Sequence, residues 1–190
     1  MPRATAADAA RTAERIIVAA VARFTADGYA TASIDDIARE AGVTRGAVYH
    51  HFGSKQGLLR AALQAAHEQV AAHVVKQAQS HADPMGQLRA GCHAFIEAVT
   101  STEMTGLLLI EAPAALGWAS WREFDAAASV KELRDALTAV VANEDVEAMT
   151  QLLSGAMNEA ALWLAQRPRD DEARAAISRS LDRLIAALTS

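Results

Sequence analysis

The sequence predicts an all-α protein of about nine helices, and three observations support this prediction. Apolar residues recur at the three- and four-residue spacing of a helix face, as at Ile34, Ile37, Ala38 and Ala41. The chain is rich in alanine, and no sustained alternation of polar and apolar residues indicates strands. Four prolines and ten glycines in 190 residues leave room for long uninterrupted helices.

The first predicted helix runs from about Ala7 to Ala26 and ends at Gly28. A second, short helix follows Ser33, a favourable N-cap residue, and carries Asp35 and Asp36 in its first turn, where the helix dipole favours anions. Gly42 ends it because glycine adopts the left-handed conformation of a C-cap at little cost.

A third helix begins after Thr44, which is a second N-cap residue, and the two short helices form a helix-turn-helix pattern. Val48 and Phe52 are expected to face the first of these two helices. The residues left exposed on the third helix are Thr44, Arg45, Gly46, Ala47, Tyr49 and His50. The pattern alone is equally compatible with an ordinary helical hairpin inside an all-α core.

The exposed residues suit a surface that reads DNA. Arg45 can donate two hydrogen bonds to a guanine edge, and the small Gly46 and Ala47 would let the helix backbone approach the bases. The remaining side chains, Thr44, Tyr49 and His50, could bind phosphates, which positions a protein without specifying sequence. Lys55, at the start of the next helix, offers a further phosphate site.

The gapless stretch from Ile16 to Leu59 resembles the N-terminal DNA-binding domain of the TetR family of bacterial transcriptional regulators. The landmarks that carry the resemblance are Phe24, Gly28-Tyr29, Ile37-Ala38, Ala41-Gly42-Val43, Tyr49, His51-Phe52 and Ser54-Lys55. The resemblance implies that Thr31 and Ser33 also contact phosphates, although local capping would account for both. It places a DNA-binding domain at residues 1–53 and an effector-binding and dimerisation domain at residues 54–190.

Further helices are predicted over residues 54–80, 85–100, 122–141, 145–166 and 170–188, and together they form a helical bundle. The first of these is about 40 Å long, enough to leave the DNA-binding domain and enter the bundle. The bent apolar segment between Glu103 and Asp125 contains Pro113 and Gly117.

Glu111 lies among apolar residues in this bent segment, and a buried carboxylate must be paired or protonated. It could pair with an arginine such as Arg122 or cap a helix, or it could face a ligand. Trp118 and Trp121 could belong to the core or border a pocket. In the resembling family the segment borders the effector site, and the pocket predicted from position and polarity comprises Phe95, Met104, Leu108, Glu111, Trp118, Trp121 and Met157.

The last two helices present apolar stripes that could close the core of this chain or form a dimer interface, as they do in the resembling family. Gly155, Ala156 and Ala160 would permit close helix packing and mildly favour the interface. The predicted interface residues are Leu153, Met157, Ala160, Leu164, Ile177, Leu181, Leu184 and Leu188.

The charge of the chain is unevenly distributed. Residues 1–60 carry a net charge of +2 and residues 61–190 carry −7, which suits a protein that contacts DNA at one end only. The single cysteine, Cys92, excludes an internal disulfide and is compatible with a reducing compartment. No signal peptide or membrane-spanning stretch is recognisable, so we expect a soluble, cytoplasmic protein.

No catalytic constellation is recognisable, and no metal or cofactor is expected. The resemblance implies a regulator, most simply a repressor, that binds a palindromic DNA operator as a homodimer and is released by a small hydrophobic or amphipathic effector. One alternative is an all-α ligand-binding or enzymatic bundle with a structural N-terminal hairpin. Another is a family member without an effector.

Overall fold

A computed structural model describes residues 6–101, 104–125, 130–141 and 145–187, and these residues form ten helices and no strand. The predicted all-α fold is therefore confirmed. The first four helices are α1 (Ala6–Asp27), α2 (Ile34–Glu40), α3 (Arg45–Phe52) and α4 (Lys55–Ala78). Next come α5 (Pro84–Ser101) and α6, which is continuous through Met104–Gly106, a π-helical turn Leu107–Glu111, and Ala112–Leu116. The last four are α7 (Trp118–Asp125), α8 (Lys131–Thr138), α9 (Val146–Ala165) and α10 (Asp171–Ala187).

Most helices begin and end within two residues of the predicted positions, because local capping residues fix them. Ser33 accepts a hydrogen bond from the Asp35 amide at 3.2 Å, and Ser54 accepts one from the Gly57 amide at 2.9 Å. Gly28 and Gly42 have φ of 76° and 64°, so each ends a helix in a conformation that other residues adopt only with strain.

The predicted helix over residues 122–141 includes residues 126–129, which lie outside the described part of the chain. In the described part, α7 begins at Trp118, four residues before the predicted start, and α8 covers Lys131–Thr138. The earlier start follows from Gly117, whose φ of 81° separates α6 from α7.

The chain divides into two compact units. The first contains Met1–Ala66 and Gly106–Trp121, and the second contains His67–Thr105 and Arg122–Ser190. The first unit thus includes the π-helical turn of α6, which lies beyond the predicted boundary at residue 54. Within it, α1, α2 and α3 pack around a core that includes Ile16, Phe24, Ile37 and Val48, all buried.

In the second unit α5 packs against α8, α9 and α10. Leu88, Leu137, Leu153 and Ile185 are buried in this core. At its surface, Asp182 of α10 contacts two side chains of α5. Its Oδ1 lies 3.0 Å from His93 Nε2 and 3.3 Å from Arg89 Nε. No helix in the described part of the chain is long and apolar enough to cross a membrane.

Candidate nucleic-acid interface

The exposed face of α3 is formed by the residues that the sequence singles out. Thr44 caps the helix by accepting a hydrogen bond from the Ala47 amide at 3.2 Å, and Val48 on the opposite side is 1 % exposed. Thr44, Arg45, Gly46, Tyr49 and His50 are exposed, and Ala47 is half-buried. All six residues are therefore wholly or partly accessible to solvent, and together they are called the exposed α3 face below.

Arg45 lies at the N-terminal end of this face and has two contacts within the protein. Its Nη1 donates to Asp35 Oδ2 at 2.8 Å, and its Nη2 donates to the Tyr49 hydroxyl at 3.4 Å. The guanidinium carbon is also 5.5 Å from the centroid of the Tyr49 ring. Sequence reasoning missed Asp35 as a partner, because it assigned this residue only to the helix dipole.

The predicted phosphate-binding residues each make a local contact. Lys55 Nζ donates to the Ala30 carbonyl at 3.1 Å and lies 4.8 Å from the centroid of the Tyr29 ring. The hydroxyl of exposed Thr31 donates to the Asp27 carbonyl, while Ser33 caps α2. These contacts hold the three side chains at the loop between α1 and α2 and at the start of α4. Their binding of phosphates stays a prediction.

The second unit contains a cavity of about 320 Å³ between α4, α5, α8 and α9. Its size lies at the lower end of the range for small-molecule sites. Most of its wall is apolar, and its larger apolar residues are Val74, Val75, Leu88, Phe95, Leu133 and Met157. Its polar groups include Gln79, Gln87, Ser154, Glu132 and Asp135, and no lysine or arginine is among the described lining residues.

Cys92 also lines this cavity. Burial raises the pKa of its thiol to about 12, so the sulfur is protonated and is a poor nucleophile at neutral pH. The cysteine therefore contributes a small apolar surface to the cavity.

Two of the seven predicted pocket residues, Phe95 and Met157, line the cavity. Four others lie in the first unit, and only Trp118 among them is exposed. Glu111 Oε2 accepts a hydrogen bond from the Tyr29 amide at 3.1 Å, so the carboxylate is paired with the backbone just beyond α1 and not with Arg122. Leu108 and Trp121 are buried against each other, with Trp121 Nε1 donating to the Leu108 carbonyl at 2.7 Å. Met104, the seventh, lies in the second unit and does not line the cavity either.

The predicted dimer interface needs a similar correction. Leu153, Met157, Leu164 and Leu181 are buried within the chain itself, so their side chains are not available to a partner. Ala160 and Ile177 are half-buried, Leu184 is 40 % exposed, and Leu188 lies outside the described residues. Leu152 was not predicted, yet it is 74 % exposed on α9.

The fold and the α3 face together define an all-α helix-turn-helix protein of the DNA-binding class. A family model described as bacterial regulatory proteins, tetR family, matches residues 16–62, and one described as tetracyclin repressor-like, C-terminal domain, matches residues 85–188. The chain belongs to the TetR family of bacterial regulatory proteins.

Individual relatives agree with this assignment. The HTH-type transcriptional regulator TtgR of Pseudomonas putida is 41% identical over 91 residues, which cover 47% of this chain and 43% of TtgR. A crystal structure of a TetR-family transcriptional regulator from Pectobacterium atrosepticum is 30% identical, with 97% of each chain covered and a TM-score of 0.76. The structure of the transcriptional regulator FadR from Bacillus subtilis in complex with stearoyl-CoA is 20% identical, with 90% of this chain and 96% of FadR covered and a TM-score of 0.73, and shares the fold.

The chain spans less than half the length of the first curated relatives that it matches. The families and relatives are transcriptional regulators and not enzymes. The alternative of an enzymatic bundle is therefore not favoured.

Proposed function

We propose that this protein is a transcriptional repressor that binds a palindromic operator as a homodimer and is released by a small molecule. The observation that carries this proposal is the exposed α3 face, where a capped helix presents Arg45 beside small residues. Two such helices, one from each protomer, would enter successive major grooves about 34–36 Å apart.

Selection of bound DNA from a random pool tests the DNA-binding part of the proposal. The expected result is a palindromic sequence whose half-sites are separated by about one helical turn. Failure to enrich any sequence would contradict operator binding.

Replacing Arg45 by Ala should cost about 1–3 kcal/mol of operator binding and relax specificity at one position of each half-site. The reason is the loss of a bidentate contact to a single base. Titrating the operator and its single-base variants in gel-shift assays measures both effects. Arg39→Ala is the control, since Arg39 is an exposed cation on α2 that pairs with Asp36, and its loss should alter no base preference. An Arg45→Ala variant with unchanged base preferences would contradict the role of Arg45.

The effector that fits the cavity is small and largely apolar. The apolar wall favours such a molecule, and the two lining carboxylates, Glu132 and Asp135, are already paired with Lys131. The volume of about 320 Å³ is also small for a ligand of the size of the stearoyl-CoA bound to FadR. We therefore infer a different class of effector for this chain.

Variants at Gly91, which lines the cavity, test this assignment. A Cβ at this position would lie 3.5 Å from Val74 Cγ1, an ordinary contact, so Gly91→Ala should fold and retain effector binding. The larger Gly91→Leu side chain should fill the cavity and abolish release by any effector found in a ligand screen, while leaving operator binding intact. Release that persists in Gly91→Leu would place the effector elsewhere. Operator binding with no effector in the screen would instead favour a family member without one.

A further inference from the structure

The guanidinium of Arg45 is held by a carboxylate from the other helix of the helix-turn-helix motif. Asp35 lies in the first turn of α2, ten residues before Arg45, and its Oδ2 accepts the 2.8 Å hydrogen bond from Nη1. Tyr49, one turn further along α3, accepts the longer contact from Nη2 at 3.4 Å. Both members of the ion pair are more than half exposed, so the pair lies on the surface and not in the core.

These contacts leave the guanidinium able to bind a base. A guanidinium has five N–H groups, and the contacts with Asp35 and Tyr49 use one on each terminal nitrogen. The three that remain exceed the two that the N7 and O6 acceptors of a guanine require. Arg45 can therefore contact a guanine while it keeps its bond to Asp35.

The position of Asp35 is unfavourable for general DNA binding. A carboxylate on a DNA-facing surface repels phosphates and lowers the affinity for every duplex, whatever its sequence. Stabilisation of α2 through the helix dipole does not require the contact with Arg45. The neighbouring Asp36 provides the same charge in the same turn, and its carboxylate contacts Arg39 instead.

We propose that Asp35 is a specificity-determining positioning residue, whose carboxylate fixes the guanidinium of Arg45 in the orientation that reads a guanine edge. The inference rests on the proposed DNA-binding function. A long arginine side chain loses rotamer freedom when it binds, and the bond to Asp35 removes part of that cost before DNA is present. The carboxylate also competes with phosphates for Arg45, which disfavours duplexes that lack the guanine.

The experiment uses the full-length protein and the operator that the wild type selects from a random pool. The operator position at which Arg45→Ala loses its guanine preference is identified first, and affinities are then measured for all four bases at that position. Asp35→Ala should lower the guanine preference there about three- to five-fold, the effect of losing one exposed ion pair. It should also raise the affinity for random duplex, because a negative charge is removed.

Four further measurements separate positioning from a general effect of charge or folding. Asp36→Ala should raise the affinity for random duplex without changing the guanine preference. Asp35→Asn, which keeps an acceptor oxygen but loses the charge, should retain part of the preference. In the Arg45→Ala background, Asp35→Ala should have no further effect on base preference. The thermal unfolding midpoint of each variant shows whether it is folded at the temperature of the assay.

An unchanged guanine preference in Asp35→Ala would overturn the inference and leave the proposed function in place. An equal loss of guanine preference in Asp36→Ala would also overturn the inference and leave the proposed function in place. If the wild type enriches no sequence, the proposed function fails and the role of Asp35 fails with it. If Arg45→Ala changes no base preference, operator binding stands but neither Arg45 nor Asp35 determines its specificity.

Discussion

Glu111 illustrates how one residue acquires its role from a distant part of the chain. Its carboxylate accepts the Tyr29 amide at 3.1 Å, 82 residues away in sequence and just beyond the end of α1. The close approach is possible because residue 28 is glycine, where a Cβ would lie 3.2 Å from Glu111 Oε1. The carboxylate thus satisfies an amide that follows the helix end and links α6 to α1 within the first unit.

His67 is a second residue in an unusual environment, because its imidazole is buried. It is 4 % exposed, and its Nε2 has no hydrogen-bond partner among the described residues. Burial lowers the pKa of His67 from 6.5 to about 4, because the charged imidazolium is poorly solvated there. The side chain is therefore neutral at physiological pH.

This lowered pKa predicts a specific pH dependence of stability. Between pH 6.5 and 4 the unfolded chain binds more protons at residue 67 than the folded protein does, so the free energy of unfolding falls as the pH falls. His67→Leu should remove up to about 3 kcal/mol of this dependence. Urea denaturation of the wild type and the variant at a series of pH values measures the difference. Two parallel stability curves would show that His67 titrates normally in the folded protein.

At the scale of a helix, the π-helical turn of α6 follows from a proline. The Ala112 amide donates to the Leu107 carbonyl, five residues back, and Pro113, the next residue, has no N–H to offer the Leu108 carbonyl. Trp121 of α7 supplies the missing donor through Nε1 at 2.7 Å. Burial of Trp121 therefore satisfies the Leu108 carbonyl in addition to removing apolar surface from water.

Trp121→Phe should therefore lower the free energy of unfolding by about 1–3 kcal/mol, because it leaves the Leu108 carbonyl buried without that partner. Equilibrium denaturation monitored by circular dichroism measures the change. Trp118→Phe provides the matched control. Trp118 is an adjacent tryptophan on the same helix but is 67 % exposed, so its replacement should cost less than about 0.5 kcal/mol. Equal losses for the two variants would contradict the hydrogen-bond argument.

At the scale of the whole molecule, exposed apolar residues on α9 and α10 indicate where a second copy would bind. Leu152 and Leu184 are accessible, whereas the neighbouring Leu153 and Leu181 fill the core of the chain. Ala156 is also exposed, and Gly155 has no atom within 4 Å of a Cβ placed on it, so a partner helix could approach closely.

If the proposed dimer forms through this surface, Leu152→Glu should convert it to monomers, because a carboxylate would be buried in the interface without a partner. Light scattering across a range of protein concentrations measures the oligomeric state. Val18→Glu is the control, since Val18 is a comparably exposed apolar residue on α1, at 62 % against 74 % for Leu152. Leu184→Glu should behave like Leu152→Glu. A dimer that persists in both variants would place the interface on another surface.

Operator binding should weaken in the same monomeric variants although Arg45 is unchanged. A single α3 helix contacts one half-site only, and the second contact of a dimer acts at high effective concentration. The affinity that each α3 helix provides for the operator therefore depends on dimerisation.

The sequence by itself determined the all-α class, the helix-turn-helix motif and most helix ends. These features depend on residues close together in the chain: N-caps such as Ser33 and Thr44, terminating glycines such as Gly42, and the spacing of apolar residues. Because Arg45 and its neighbours lie on a single short helix, the candidate DNA-reading face could be inferred in the same way.

The tertiary structure alone decided which distant residues meet. It gave Arg45 the partner Asp35, placed Glu111 on the backbone of the α1–α2 loop, and assigned the cavity to residues of four helices. It also divided the apolar residues of α9 between the core and the surface, since both Leu152 and Leu153 fit a helical apolar pattern. A helix period indicates a face, but the neighbouring helices determine which part of that face is covered, and their positions follow from the packing of the whole unit.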